Sequence, residues 1–165
     1  MLSVKRFDPQ VHDHRNFDCG HAGLNKFLQE TASQHAAKGR SQTHVLTDQA
    51  CAPAEILGYF CLSPETVDSA ILPSRVAKSH GPTAPALLLG RLAIEATKQR
   101  SGLGTKLMGS VVQMARDALN IHGGIGLFVD AKDEQLAQFY EKFGFSRTAV
   151  GSLRLFLPAA TLKQV

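Results

Sequence analysis

Tryptophan is absent from the 165-residue chain, and cysteine occurs only three times. Cys19, Cys51 and Cys61 are too few for a disulfide framework, and the lack of any C-x-x-C pair argues against a structural zinc site. Long apolar runs are missing as well: a stretch such as Pro85 to Leu89 is far too short to span a bilayer. Residues Met1 to Pro9 lack the apolar core of a signal peptide, so the expected compartment is the cytoplasm, with no membrane partner. No repeat, low-complexity tract or Pro/Gly/Ser-rich linker divides the chain, which reads as one domain over residues 1–165. Hydrophobic residues make up 44% and charged residues 19%, a balance that excludes disorder. A chain of this length buries roughly 70% of its unfolded surface and needs no staples. Acidic residues are the scarcer charge, 14 against 18 Lys and Arg, for a net charge of +4. That surplus suits a polyanion such as a nucleotide cofactor or RNA, although many plain enzymes carry as much.

What is present is an alternation of strand and helix patterns. Ser3 to Asp8 reads as a strand. Phe17-Asp18-Cys19-Gly20 signals a turn, with Asp18 as the expected cap of a helix running from Ala22 to about Ala37. Gly39 stops that helix. Gln42 to Thr47 and Ile56 to Ser63 read as strands joined by a hairpin loop, and Pro64 to Pro85 as a long polar connector of the functional kind. Ala86 to Glu95 is a central strand, apolar on both faces. Ser101 to Asn120 is a long helix with Leu103, Leu107, Val111, Met114, Ala115 and Ala118 inward. Ile125 to Val129 is a buried strand, and Asp133 to Phe143 a short helix capped by Asp130 or Asp133. Phe145 to Val150 and Ser152 to Leu157 form a closing hairpin about Gly151. The order β-α-β-β-β-α-β-α-β-β gives an α/β (α+β) fold with a mixed central sheet and flanking helices.

The chemistry concentrates where the central strand enters the long helix. Gln99-Arg100-Ser101-Gly102-Leu103-Gly104-Thr105 is a glycine-bearing turn opening a helix, and helix-start amides attract phosphate without any side chain. Gly102 and Gly104 remove Cβ atoms from the approach, while Lys98 and Arg100 add charge at the rim. A P-loop would need a Gly-Lys pair, which the chain lacks, and a Rossmann fingerprint would need glycine where Leu107 stands. The pattern [QR]-x-x-G-x-[GA] is satisfied in full by Gln99 to Gly104. Downstream, Ala137-Gln138-Phe139-Tyr140-Glu141-Lys142-Phe143-Gly144-Phe145 satisfies A-x-x-F-Y-x-x-x-G-F.

These two signatures, in this order and preceded by Leu92-Ala93-Ile94, resemble those of the GNAT superfamily of acetyl-CoA-dependent N-acetyltransferases. A narrower resemblance covers most of the chain. Phe17-Asp18-Cys19-Gly20 with Leu24-Asn25-x-Phe27-Leu28, Gly39-Arg40-Ser41-x-Thr43-x-Val45, Pro85 to Ala93, Val129 to Asp133 and Leu155 to Pro158 are similar to the TacT/AtaT type of toxin. The resemblance implies acetylation of the α-amino group of aminoacyl-tRNA, arrest of translation, a ribbon-helix-helix antitoxin as partner, and compatibility with a homodimer. His21 departs from the type, which often has an acidic residue there.

On that reading acetyl-CoA is the cofactor. Its diphosphate would lie on the amides of Arg100, Ser101, Gly102, Leu103, Gly104 and Thr105, next to Gln99. Its pantetheine would pair with the backbone of Leu92, Ala93 and Ile94, and Phe139 would border it. Tyr140 is the candidate catalytic acid, since a phenol stays protonated at neutral pH and can donate to a thiolate; core filling beside Phe139 is the plainer role. No base stands out: Glu95 ends the strand, and a solvated carboxylate is its plainer role. An α-amino group titrates near ~7.7 to 8.0 and needs little help, whereas a lysine near ~10.4 would need a base. Lys38, Arg40, Arg75, Lys78 and Arg91, with His80, are the tRNA phosphate candidates, weighed against ordinary surface charge. No metal site is expected; the His12 and His14 pair has no further ligands to complete one. Two other functions stay open on the sequence: acetylation of a small amine or protein N-terminus, and an idle GNAT-like module that only binds a partner.

Overall fold

The structure is a computed structural model that describes residues 1–50 and 52–162. Cys51, one of the three cysteines weighed above, and residues 163–165 lie outside the described residues. In chain order the strands and helices begin with β1 (Leu2–Arg6), β2 (His12–Asp13), α1 (Ala22–Lys26), α2 (Ala32–Ala37), β3 (Gln42–Asp48) and β4 (Ala54–Asp68). They continue with α3 (Ser74–Ala77), β5 (Thr83–Ile94), α4 (Leu103–His122) and β6 (Gly126–Asp130). The chain closes with α5 (Glu134–Glu141), β7 (Ser146–Arg147), β8 (Arg154–Pro158) and α6 (Ala159–Leu162). The strands form a mixed sheet, as expected of an α/β chain. The residues gather into two compact units, 1–63 with 90–111, and 64–89 with 112–165, and β4, β5 and α4 each run through both.

In the first unit β1, β3 and β4 pair antiparallel, and β5 follows β4 in the ladder. Thr43 and Val45 alternate inward on β3 opposite Cys61 and Tyr59 on β4, the period of two that buries one face. Phe17, Phe27, Leu28, Ala32, Ile56 and Ala93 complete that core. Burying Phe27 and Leu28 contributes about 1.5 to 3 kcal/mol each. The expected single helix from Ala22 to Ala37 is broken by a π-helical turn over Phe27–Thr31. The Tyr59 hydroxyl donates to the Leu24 carbonyl at 2.7 Å just ahead of that turn, and Tyr59 is a fully buried core residue. Asp18 does not cap this helix. His21 does, its ring accepting from the Leu24 N–H, while Asp18 accepts from Gly20 and Asn25 in the preceding turn. Gly39 ends α2 as expected, at φ +69°: its N–H reaches Ala36 and that of Arg40 reaches His35, satisfying two of the last carbonyls. His12 stacks on Phe7, and His14 meets the same ring edge-on.

In the second unit β5 and β6 run parallel over Leu87–Leu89, and β6, β8 and β7 follow antiparallel. β6 is buried along its first four residues, as a continuous apolar run requires. Phe128 and Phe156 stack at 4.5 Å in a core shared with Val67, Leu72, Ala84 and Ala86. The connector expected over Pro64 to Pro85 is shorter. Its first residues extend β4, because Val67 alternates inward between exposed Thr66 and Asp68. Its last residues open β5, and Ser69 pins the remaining loop by bonds to Pro82 and Gly81. The expected closing hairpin is also cut back: β7 has two residues, and Thr148 and Ser152 hold the turn through each other's hydroxyls and Arg154. β2, α3 and α6 are too short to carry a periodic signal and were not foreseen.

Candidate functional site

The strand-to-helix turn lies wholly in the first unit. The parallel ladder of β5 with β6 ends at Leu89. Beyond it Gly90–Ile94 keeps β4 on one edge, where the Glu95 N–H donates to the Leu57 carbonyl at 2.9 Å, and carries no ladder with β6 on the other. Leu92 and Ile94 are half-buried and Ala93 is buried. An extended edge of this kind is what an amide-bearing ligand can pair with. After Ile94 the chain makes a short turn over Ala96–Lys98, capped by Glu95, whose carboxylate accepts from the Thr97 N–H and hydroxyl. Glu95 is thus employed in holding the turn.

Arg100 sits at φ +62°, the only non-glycine residue with positive φ among the described residues, and Gly102 follows at φ +87°. A left-handed non-glycine residue costs about 1 to 2 kcal/mol, so the turn is held by its surroundings. The first helical bond runs from the Lys106 N–H to the Gly102 carbonyl. The amides of Gly102, Leu103, Gly104 and Thr105 therefore have no partner within the helix. From Ala96 to Lys106 there is no acidic side chain, and Lys98, Arg100 and Lys106 are exposed cations. These groups fit a diphosphate: four donors at the positive end of a 20-residue helix with cations around them. Ser101 turns its hydroxyl to the Lys98 carbonyl, inside the turn. Gln99 likewise spends its side-chain amide on backbone, donating to the Ile94 and Cys19 carbonyls.

That last bond belongs to a set. The Ala96 N–H donates to the Asp18 carbonyl at 2.8 Å, so Asp18 and Cys19 both anchor the entrance of the loop. Cys19 is buried, its sulfur 3.7 Å from the His21 carbonyl oxygen. The sequence assigns Asp18 of this turn only the task of a helix cap, and its bond to the loop joins a segment about 80 residues away.

The second unit contains α5, which starts at Asp133, its carboxylate accepting from the Leu136 N–H at 2.8 Å. Asp130 bonds Arg154 instead. Ala137 and Tyr140 are the buried residues of this helix. Tyr140 packs between Phe139 and Phe145, with ring centroids 5.4 and 5.7 Å away, and Phe139 also meets Phe143 at 5.1 Å. Tyr140 is 5% exposed, and its hydroxyl makes no hydrogen bond with the described residues. Burial pushes its pKa up to about 12, so the phenol keeps its proton at neutral pH.

Of the cations singled out in the sequence, three gather in the first unit. Lys38 and Arg40 follow the end of α2, and Arg91 projects from β5 with its guanidinium 3.6 Å over the Phe27 ring. All three act on His35, which meets the same Phe27 ring edge-on at 5.2 Å. Desolvation, then the charges of Arg91, Arg40 and Lys38, hold the His35 imidazole below its usual pKa. Arg75 and Lys78, on α3 and at its end, and His80 belong to the second unit and are exposed.

The profile of the acetyltransferase (GNAT) family matches residues 9–145. The chain belongs to the GNAT acetyltransferase family. It is an N-acetyltransferase that uses acetyl-CoA, and both expected signatures fall inside the matched span. Among curated proteins it is similar to the tRNA-acetylating toxin of Mycobacterium tuberculosis, 27% identical over 94% of this chain and 91% of that protein. Among solved structures it is similar to AtaT complexed with acetyl-methionyl-tRNAfMet, at a TM-score of 0.89 and 26% identity, covering 99% of this chain and 98% of that one. It is also similar to a mutant AtaT toxin bound to the C-terminus of the antitoxin AtaR and acetyl-CoA, at a TM-score of 0.82 and 25% identity over 99% and 96% of the chains. No helix among the described residues is long and apolar enough to cross a membrane.

Proposed function

We propose that this GNAT chain is a toxin that acetylates the α-amino group of aminoacyl-tRNA and thereby blocks translation. One observation carries the reading: nearly the whole chain superposes on AtaT solved with acetyl-methionyl-tRNAfMet. The cluster of Lys38, Arg40 and Arg91 around His35, in the same unit as the glycine turn, supports it by offering phosphates a site.

Acetyl-CoA, when bound, supplies an activated acetyl thioester. The amides of Gly102 to Thr105 would hold its diphosphate, with Arg100 and Lys98 at the rim. The edge of Leu92, Ala93 and Ile94 would pair with its pantetheine amides, and an N–H of that strand would donate to the thioester oxygen. One such donor is typically worth ~3 to 4 kcal/mol of barrier. Tyr140 holds a proton at neutral pH and would give it to the departing sulfur, with Phe139 and Phe145 keeping water from its ring. No base is required of the chain, because a useful fraction of an α-amine that titrates near ~7.7 to 8.0 is neutral in the cell.

The same reading makes residues 1–165 a single acetyltransferase domain, supported by the three elements that pass through both units. It gives the toxin a ribbon-helix-helix antitoxin, a homodimeric form and a cytoplasmic place of action, where charged tRNA is found. The AtaT structure with the AtaR C-terminus supports the antitoxin. The test is to incubate the protein with labelled acetyl-CoA and, in parallel, charged tRNA, uncharged tRNA, small amines and peptides. Label should enter charged tRNA alone and leave it as N-acetyl amino acid on mild alkaline hydrolysis. Equal labelling of small amines or peptides, or binding of acetyl-CoA with no transfer at all, would contradict the proposal.

A further inference from the structure

We propose that Asn25 is a positioning residue for acetyl-CoA, which holds from α1 the turn that shapes the entrance of the glycine loop. Its side-chain amide is used at both ends. The oxygen accepts from the Cys19 N–H at 2.8 Å, and the nitrogen donates to the Asp18 carboxylate at 2.8 Å. A backbone N–H can only donate and a carboxylate can only accept, so the amide's orientation is fixed by its partners. The same Asp18 oxygen accepts from the Gly20 N–H at 2.8 Å, closing the turn on itself.

The turn so held presents two carbonyls to the loop. Asp18 accepts from the Ala96 N–H and Cys19 from the Gln99 amide, at 2.8 and 2.9 Å. Gln99 also bonds the Ile94 carbonyl at 3.0 Å, so one side chain fastens strand end, loop and turn together. Apart from the Glu95 link to Leu57, these are the bonds that tie the described residues 95–101 to distant segments. Displacing the turn therefore displaces the backbone that enters Arg100 and Gly102, whose left-handed geometry aims the helix-start amides. An apolar residue at 25 supplies neither the donor nor the acceptor, and a hydroxyl carries both on a single atom where the amide reaches its two partners from two, which gives the Phe17-Asp18-Cys19-Gly20 and Leu24-Asn25 pattern a physical task. Loss of such support misplaces a binding site without removing any group that touches ligand.

The inference rests on the loop being the diphosphate site, and the experiment separates the two. Acetyl-CoA dissociation constants are measured by calorimetry for the full chain, Gly102→Val, Asn25→Ala, Asn25→Asp and Gln99→Leu, with melting temperatures and steady-state kinetics alongside. Asn25→Ala and Gln99→Leu should each weaken acetyl-CoA by about tenfold, raising its KM while kcat at saturation and the KM for charged tRNA stay within about twofold. Asn25→Asp keeps the bond to Cys19 but sets a carboxylate against Asp18. Its deficit relative to wild type should be largest near pH 8 and shrink towards pH 5, as one of the pair takes up a proton and becomes a donor again. Asn25→Ala and Gln99→Leu proteins that melt lower yet bind acetyl-CoA as wild type does, or an Asn25→Asp deficit that ignores pH, would overturn the inference. If Gly102→Val also binds normally, the loop assignment itself fails; if only that variant loses binding, the loop stands and Asn25 is merely structural.

Discussion

In the first unit, residues from Glu95 to Ser101 are tied down by polar bonds to backbone: Glu95 caps Thr97, Gln99 reaches Cys19 and Ile94, and Ala96 reaches Asp18. In the second unit, the Tyr140 side chain packs against the Phe139 and Phe145 rings and its hydroxyl bonds to none of the described residues. The contrast fits the task proposed for each. A diphosphate is bound by amides, so the loop needs an exact backbone and tolerates many side chains. A proton is delivered by one oxygen, so Tyr140 needs apolar walls and an uncommitted hydroxyl.

The contrast would break most visibly at Tyr140. Tyr140→Phe keeps the packing, so the melting temperature should stay close to wild type, and acetyl-CoA affinity should be unchanged. The chemical step should slow by about 10² to 10⁴, the range for a lost general acid, in single-turnover assays with charged tRNA. Next comes the backbone. Gly102→Ala meets no atom within 4 Å but must adopt φ +87°, so about 1 to 2 kcal/mol of stability should be lost by denaturant titration. A glycine loop that tolerated alanine freely would refute the claim that its geometry matters.

Smaller effects separate the cations. Lys38→Ala and Arg40→Ala should each lower the salt slope of tRNA affinity by roughly one, as lost phosphate contacts do, whereas Arg75→Ala in the second unit sharpens the comparison if its slope does not move. A pH effect on stability should also arise in the first unit. His44 stacks on Phe60 at 5.3 Å with its Nδ1 buried and unpartnered among the described residues, and burial, then Arg6, lower its pKa. The unfolded chain protonates near pH ~6.5 while the folded one resists. Stability is therefore fully present above that pH and falls as pH drops through ~6.5 towards the lower folded value. His44→Phe should flatten part of that fall in melting curves between about pH 7.5 and 5.5. Least of all, Asp133→Ala should cost about 1 kcal/mol through its lost helix cap.

Much of this could be read in the chain. Strands and helices long enough to show a period were placed correctly, from Gln42 to Thr47 through the long helix, and both motif stretches fall inside the span that matches the GNAT family. The connector was overdrawn, since Pro64 and Pro85 read as loop residues although β4 and β5 run through them. The helix start was misassigned because Asp18 is a good cap by type, and only the fold shows it bonded to Asn25 instead. Asn25 and His35 were missed for one reason: their partners lie on other elements, which no spacing rule reveals. The π-helical turn over Phe27–Thr31 was hidden because the helix is interrupted beside Tyr59, more than 25 residues away.

The most direct measurement is a crystal structure of the full chain with coenzyme A. The diphosphate should be found within hydrogen-bonding distance of the amide nitrogens of Gly102 to Thr105. A diphosphate bound elsewhere, with those amides facing water alone, would contradict the account.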